Sequence, residues 1–582
     1  MMQSVELNQL VADARKYANL IWDIAEILRG DYKQADYGKV ILPLTVLRRL
    51  DCVLEPTKQK VLDYLPQIKG KNIQNIDPVL NKIASLTFHN KSKFDFEKMK
   101  ADHENITTNL KDFINGFSAN AREILDHFNF EEQINKLDSA NLLYQIIQRF
   151  ADVELHPKKV NSIQMGYIFE ELIRKFSEIS NETAGEHFTP REVIRLMVNL
   201  LFLEDRDILT KEGIVKTLYD PACGTGGMLS IGEEYLRELN PDSRLEVFGQ
   251  ELNPESYAIC KSDMMIKGQN PTNIKLGNSF TVDGLENEKF DYMLSNPPFG
   301  VDWKKIEKQI KDEHEEKGDE GRFGAGLPRV SDGALMFLQH MISKMKPSNG
   351  GSRIGIVFNG SPLFTGGAGS GESEIRRWII ENDRLEAIIA LPDQLFYNTG
   401  IFTYVWIVTN RKPKERKGKV QLINAVSFFT KMKKSLGNKR NEISPKQIEE
   451  ITKMYGDFKR GKYSKIFDNE ELGYWQITIE RPERDAKGNI VKDNKGKPKA
   501  DGSLRDTENV PLKDNIKKYF EKEVLPHVPD AWIDETKTKK GYEISFTKYF
   551  YEYKPLRTLE EIKKDILALE KQTEGMLKEV IE

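Results

Sequence analysis

Cysteine is scarce in this chain. The three present, Cys52, Cys223 and Cys260, stand far apart, and no Cys-x-x-Cys or Cys/His spacing accompanies them. That excludes a disulfide framework and an ordinary zinc site. No run of about 18 apolar residues occurs, so no membrane-spanning helix is expected. The opening residues, MMQSVELNQLVADARKY, lack the charged-then-apolar order of a secretory signal, and a cytoplasmic protein is the expectation. An excess of one charge is also missing: 87 Lys and Arg face 90 Asp and Glu, for a net of −3. Proteins that grip a polyanion unaided carry a basic excess. Any such role here needs clustered basic residues or a second chain to supply the grip.

What is present is length and a change of pattern along it. At 582 residues the chain predicts roughly three domains. Residues 1–150 read as helical. Leu20, Ile21, Ile24, Ile27 and Leu28 recur at helical spacing, as do Val40, Ile41, Leu44, Leu47 and Leu50. Over 155–412, helical runs alternate with short apolar runs at Thr217–Tyr219, Leu245–Gly249, Phe290–Ser295, Arg353–Phe358 and Tyr404–Val408. Strands alternating with helices predict a doubly wound α/β domain with a parallel sheet. Residues 413–582 form a third region. The stretch 411–440, which opens it, has eleven Lys and Arg against Glu415 alone. Residues 484–505 are polar and Gly/Lys-rich, and predict a mobile loop or insertion. A terminal helix from Thr558 has apolar residues at Leu559, Ile562, Ile566, Leu569, Met576 and Val580, a heptad seam interrupted at Thr573.

Three motifs carry chemistry. Asp220-Pro221-Ala222-Cys223-Gly224-Thr225-Gly226-Gly227 lies between an expected strand and the helix Met228–Leu239. Glycines there let the backbone approach a ligand, and the helix start offers free N–H groups. The dinucleotide pattern Gly-x-Gly-x-x-Gly is not met, because Leu229 occupies the third position. Glu251 ends the next strand, about 30 residues on, where a carboxylate can accept both hydroxyls of a ribose. Asn296-Pro297-Pro298-Phe299 follows the strand Phe290–Ser295. An exocyclic amine is a poor nucleophile, because its lone pair is delocalised into the ring. The Asn296 side-chain carbonyl and the Pro297 backbone carbonyl can accept its two N–H hydrogens and localise that pair. The prolines preset both acceptors, and Phe299 can stack on a base taken out of a duplex.

These motifs resemble those of amino-group DNA methyltransferases. Gly185-Glu186-His187-Phe188-Thr189-Pro190-Arg191 is similar to the family's additional cofactor motif. The resemblance implies a Rossmann-like class I S-adenosylmethionine-dependent methyltransferase domain, with a helical domain before it and a helical tail after it. It assigns cofactor contacts to Glu186, His187, Phe188, Thr189, Pro190, Arg191, Asp220, Gly224, Thr225, Gly226, Gly227, Glu251 and Asn278. Phe188, Thr189 and Pro190 would line the methionine side. Asn296, Pro297, Pro298 and Phe299 would form the catalytic loop, acting on adenine N6 given Phe299 and the motif order. A cytosine-C5 enzyme needs a cysteine after proline, and Cys52, Cys223 and Cys260 follow Asp, Ala and Ile.

The resemblance extends to modification subunits of type I restriction–modification systems. It includes Ala18–Asp23, Leu42–Leu44, Arg48–Asp51, Met165–Leu172, Leu504–Leu512 and Val524–Trp532. It implies double-stranded DNA as substrate, a separate specificity subunit that reads the target and binds the terminal helix, two copies of this chain per complex, and in some assemblies a restriction subunit. The modification would protect host DNA. Two other functions stay open at this point: a self-contained adenine methyltransferase with its own target recognition in 413–582, and a non-catalytic DNA-clamping assembly subunit. Gly366–Ser373 nearly spells a phosphate-binding loop, but Glu372 stands where a lysine is needed, so a loop before the helix Ile375–Glu381 is expected. His187 alone does not make a metal site, and no metal is expected.

Overall fold

The computed structural model describes residues 13, 15–68, 74–180, 189–347, 350–397, 399–493, 496–552 and 557–569. Residues up to Ile544 form one unit and those from Ser545 another.

The helical N-terminal region is built round the long helix Gly38–Ile68, whose apolar face is buried along its first half. Its core runs through Leu44, Leu47, Phe96, Phe113 and Ile146 and takes in Ala258, Ile259 and Met265 of the helix Pro254–Ile266. The helical layer and the α/β layer therefore share apolar contacts, and Lys261 of that helix pairs with Glu123 at 2.7 Å.

The α/β layer is a nine-stranded sheet among the described residues, formed by β1 (Val215–Asp220), β2 (Arg244–Glu251), β3 (Ile274–Leu276), β4 (Tyr292–Ser295), β5 (Arg353–Phe358), β6 (Leu385–Ala390), β7 (Tyr404–Thr409), β8 (Lys419–Asn424) and β11 (Ser464–Asp468). Their order across the sheet is β11-β8-β6-β7-β5-β4-β1-β2-β3. β3, β2, β1, β4 and β5 run parallel. β7 enters antiparallel between β5 and β6, while β8 is again parallel to β6. The parallel reading is right for the centre of the sheet and is broken at β7, which the sequence pattern does not mark. The sheet also runs past residue 412, because β8 and the antiparallel edge strand β11 continue it.

Strand order reverses between β1 and β4. The chain leaves β1 towards β2 and β3, then crosses back to lay β4 on the other side of β1. In an open α/β sheet a crevice opens at such a point, beyond the carboxyl ends of the strands. Asp220, Glu251 and Ser295, the last residues of β1, β2 and β4, all stand there.

Two smaller sheets follow. β9 (Thr430–Leu436) and β10 (Lys439–Glu442) form an antiparallel hairpin. β12 (Gly473–Glu480) lies between β13 (Asp506–Pro511) and β14 (Trp532–Tyr542). The excursion between β12 and β13 contains the 484–505 stretch, where a mobile loop is expected from composition. Its described backbone pairs with itself, through bridges at Pro482 with Ala500, Arg484 with Ile490 and Lys492 with Pro498. Asp485 and Asp493 each start a turn closed by a glycine N–H, Gly488 at 2.9 Å and Gly496 at 3.0 Å. Both glycines have positive φ, 82° and 75°. Asp and Gly at these offsets are turn formers whatever the polarity of the stretch.

The loop at Gly366–Ser373 is held from within. Arg376 donates to the carbonyls of Pro362, Thr365 and Gly366, and Glu372 accepts the Arg329 N–H at 2.9 Å. In the second unit, 559–569 is helical and Leu559, Ile562, Ile566 and Leu569 are exposed. Met576 and Val580 lie outside the described residues.

Candidate active site

The Gly-rich turn after β1 is shaped by contacts on both sides. Gly224 and Gly226 have φ of 52° and 85°, in the left-handed region. A Cβ on Gly226 would stand 2.8 Å from Cys260 Sγ, so a side chain is barred twice over. The turn delivers the chain to the helix Gly227–Leu239. Glu251 ties it down from β2: its Oε2 accepts the Gly224 N–H at 2.8 Å and its Oε1 the Asn253 N–H at 2.7 Å. Asp220 Oδ1 accepts the Ala222 N–H at 3.0 Å and the Ser295 hydroxyl at 2.8 Å, linking the end of β1 to the end of β4.

Next to this turn opens a narrow, polar cleft. Thr189, Asp220, Thr225, Gly227 and Asn296 all line it, so members of the additional cofactor motif, the Gly-rich turn and the Asn-Pro-Pro-Phe loop, up to 107 residues apart in the chain, meet in one place, while Glu251 stands behind the turn it ties down. Glu170, Ile194, Ala222, Cys223 and Met228 complete the wall. Pro190 caps the helix Arg191–Phe202 at the same wall. Asn278 stands just beyond β3, its Oδ1 accepting the Phe280 N–H at 2.9 Å, and the neighbouring Ser279 hydroxyl donates to Pro221 O at 2.5 Å. Glu186, His187 and Phe188 lie outside the described residues.

Asn296 Oδ1 is buried and accepts no hydrogen bond from the described residues. Leaving a buried acceptor unsatisfied costs about 1–3 kcal/mol. Pro297 is buried and Pro298 half-buried, and Gly300 turns the chain away at φ 65°. The half-buried Phe299 ring meets the Phe396 ring edge-on, with centroids 6.2 Å apart.

Glu170 is the wall residue that sequence reasoning missed. It is buried on the helix Ser162–Ser180, and its Oε1 comes within 3.9 Å of where a side chain on Gly227 would begin. Arg191 pairs with it at 3.3 Å and lies 4.0 Å over the Tyr167 ring. Arg191 thus reaches the cleft only through Glu170. A signal for this exists in the sequence. Gly166 interrupts a helix one turn before Glu170, and its Cβ would collide with Arg191 Nη2.

The electrostatics favour a cation. Burial pushes Asp220 up to about 7. Burial also raises Glu170, against the pull of Arg191. Two desolvated carboxylates thus face the cleft, and the one guanidinium nearby pairs with Glu170, so a positively charged ligand would restore their ionised forms. The Cys223 thiol is held well above its usual range by its hydrogen bond with Cys260 and by burial, which disables it as a nucleophile. No cluster of His, Cys, Asp and Glu able to hold a metal is found among the described residues.

Residues 161–481 match the model of the N-6 DNA methylase family. The chain belongs to that family. Membership makes it an adenine-specific DNA methyltransferase. Residues 17–150 match the HsdM N-terminal domain, so the helical region is the one found in type I modification subunits. Among curated proteins, the chain is similar to the type I restriction enzyme MjaIX methylase subunit of Methanocaldococcus jannaschii, 25% identical over 484 residues, which cover 79% of this chain and 80% of that protein. It is also similar to the MpnII methylase subunit of Mycoplasma pneumoniae, 24% identical over 78% of this chain and 86% of that one. The solved type I methyltransferase subunit of Streptococcus thermophilus shares the fold, with a TM-score of 0.60 at 23% identity over 79% of this chain and 97% of that one. The Gly-rich turn and the Asn-Pro-Pro-Phe loop line a single cleft together with Glu170, Thr189 and Ile194.

Proposed function

We propose that this adenine methyltransferase takes its methyl group from S-adenosylmethionine and acts on adenine N6 in duplex DNA, at sequences read by a separate specificity subunit. Asn296 Oδ1, buried beside Asp220 in the cleft and without a hydrogen-bond partner among the described residues, is the observation that carries this reading. S-adenosylmethionine would supply an electrophilic methyl on a cationic sulfur, together with an α-ammonium group. Both charges suit a cleft whose carboxylates outnumber its cations. Asp220, Glu170, Thr189 and the start of the helix Gly227–Leu239 would hold its methionine end. Glu251 would take the ribose, and Asn278 the adenine side.

The Asn296 side chain and the Pro297 carbonyl would each accept one N–H of the target amine. The nitrogen pair is then freed from the ring and aligned for in-line displacement, without a covalent enzyme intermediate. Phe299, backed by Phe396, would stack on the extruded base. The exposed apolar side chains of 559–569 suit packing against helices of a specificity subunit, with two copies of this chain per complex and a restriction subunit joining some assemblies. Protection of host DNA follows from methylation at the recognised sites.

The test is methyl incorporation into DNA from labelled cofactor, with and without the specificity subunit, alongside calorimetric cofactor binding. Incorporation that needs the second subunit supports the reading. Sequence-specific methylation by this chain alone would replace it with a self-contained enzyme, and cofactor binding without methylation in either setting would make the chain an assembly subunit.

Cofactor affinity should depend on pH. In the free protein Asp220 is protonated below about 7. A cationic ligand favours the carboxylate, so binding expels a proton there, and affinity should fall by up to about tenfold per unit as pH drops below 7. For the ligand-free fold the sign is opposite. The folded state binds the extra proton between about 4 and 7, so Asp220 costs stability as pH rises through that window. Calorimetry at several pH values checks both arms, and Asp220→Asn should flatten them. An affinity unchanged between about pH 5.5 and 7.5 would show that Asp220 does not face a cationic group.

A further inference from the structure

The basic stretch 411–440 divides into two halves at opposite ends of the sheet. Thr409 of β7 pairs with Arg353 at the start of β5, so the chain that follows lies at the amino ends of the parallel strands. Three of the six cations there pair with acids. Arg411 pairs with Asp205 at 2.5 Å and Lys412 with Asp383 at 2.6 Å. Arg416 pairs with Glu204 at 3.1 Å, between the rings of Tyr455 and Phe458. β8 then carries the chain to the other end, where the Ala425 N–H meets Ala390 O at 2.9 Å beyond β6. Phe428 packs on the core and edge-on against Tyr463.

From there the hairpin β9–β10 projects on the catalytic edge. Residues 428–441 contain Lys431, Lys433, Lys434, Lys439 and Arg440 and no acidic residue. Lys439 is buried and anchors the hairpin, pairing with Glu192 next to the cofactor wall and donating to Leu395 O at 3.0 Å. The backbone N–H groups of Asn438 and Arg440 donate to Tyr397 O and Gln394 O, both at 2.9 Å. The hairpin is thus bonded to the β6–β7 loop, whose Phe396 backs Phe299. Lys431, Lys433 and Arg440 are exposed, and none pairs with an acid among the described residues. Glu442, at the base of β10, is the hairpin's one carboxylate.

We propose that the β9–β10 hairpin is a phosphate-backbone contact for the duplex whose base enters the cleft. The proposal rests on the adenine methyltransferase reading and locates part of its DNA grip. In a chain of net charge −3, three free cations rigidly joined to the catalytic loop's support are complementary to a polyanion at that edge. Contact through phosphates would fix the register of the duplex against Asn296 and Phe299 without reading its sequence.

The experiment uses the full chain and a fluorescein-labelled duplex of arbitrary sequence, with anisotropy followed between roughly 50 and 200 mM salt. Each phosphate contact steepens the fall of log affinity with log salt by about 0.9. The triple variant Lys431→Ala/Lys433→Ala/Arg440→Ala should therefore flatten the slope by about 2 to 3, with cofactor affinity retained as the control for folding. The charge-keeping variant Lys431→Arg/Lys433→Arg/Arg440→Lys should restore the slope. A triple-variant slope equal to that of the unaltered chain overturns the proposal. So does absence of salt-dependent duplex binding by the unaltered chain. Failure of the methyltransferase reading is separately visible, as absent cofactor binding and methyl incorporation in the unaltered chain.

Discussion

Asn296→Ala should lose methyl transfer by about 10³-fold while keeping cofactor affinity and fold. The direction follows from the state of Asn296 Oδ1 in the free protein: it is buried, faces the cleft, and accepts no donor among the described residues. An amine that donates to it gains a hydrogen bond without displacing one already made. Removing the carboxamide removes a buried unsatisfied acceptor, so thermal stability should hold or rise slightly. That pairing, activity lost and stability kept, separates a catalytic acceptor from a structural asparagine, whose loss would lower both. Asn296→Asp keeps an acceptor but adds a carboxylate beside Ser295, which is bonded to the already raised Asp220. It should retain little activity and show it only at higher pH. Single-turnover incorporation at saturating cofactor is the measurement. An alanine variant that works at the normal rate would remove Asn296 from the chemistry.

The motif residues are legible because chemistry dictates their type and their place at strand ends. Asp220, Glu251 and Asn296 follow apolar runs that read as strands, and the sheet brings those strand ends together. Glu170 is hidden for the opposite reason. Beside Glu171 it reads as a solvated pair, and only the glycine one turn earlier hints that a guanidinium packs there. β6 escapes notice because its buried Glu386 looks like a surface residue and cuts short an apolar run. β13, reading Asp-Thr-Glu-Asn-Val-Pro, has almost no apolar signal, since it is an edge strand with only Val510 buried. The basic stretch is visible as composition, but its division into ion-paired staples and free cations depends on which acids the fold brings near.

Glu386→Ala should be the most destabilising single change outside the cleft, costing about 3–5 kcal/mol. Arg353 on β5 and Glu386 on β6 are 1% and 0% exposed in side chain and reach past β7 to meet at 2.7 Å. Tyr455 donates to Glu386, Arg353 Nη2 bonds the Tyr455 hydroxyl at 2.5 Å, and Arg353 Nε donates to Leu201 O at 3.1 Å. Burial pushes Glu386 up, but Arg353 overrides it and holds the carboxyl below its usual range. The pair therefore adds stability above about pH 4.5 that is lost as acid protonates Glu386. Alanine would leave the Arg353 guanidinium buried without its counter-charge, and the penalty comes chiefly from that orphan. Arg353→Met/Glu386→Leu removes both charges and fills similar volume, so it should recover most of the loss. The urea midpoint of the three proteins decides the matter. A single variant unfolding with the unaltered chain would show that the pair is not the staple described. Activity should track the midpoint, because the strand that Glu386 anchors leads into the loop that seats Phe396 behind Phe299 and the β9–β10 hairpin beside it.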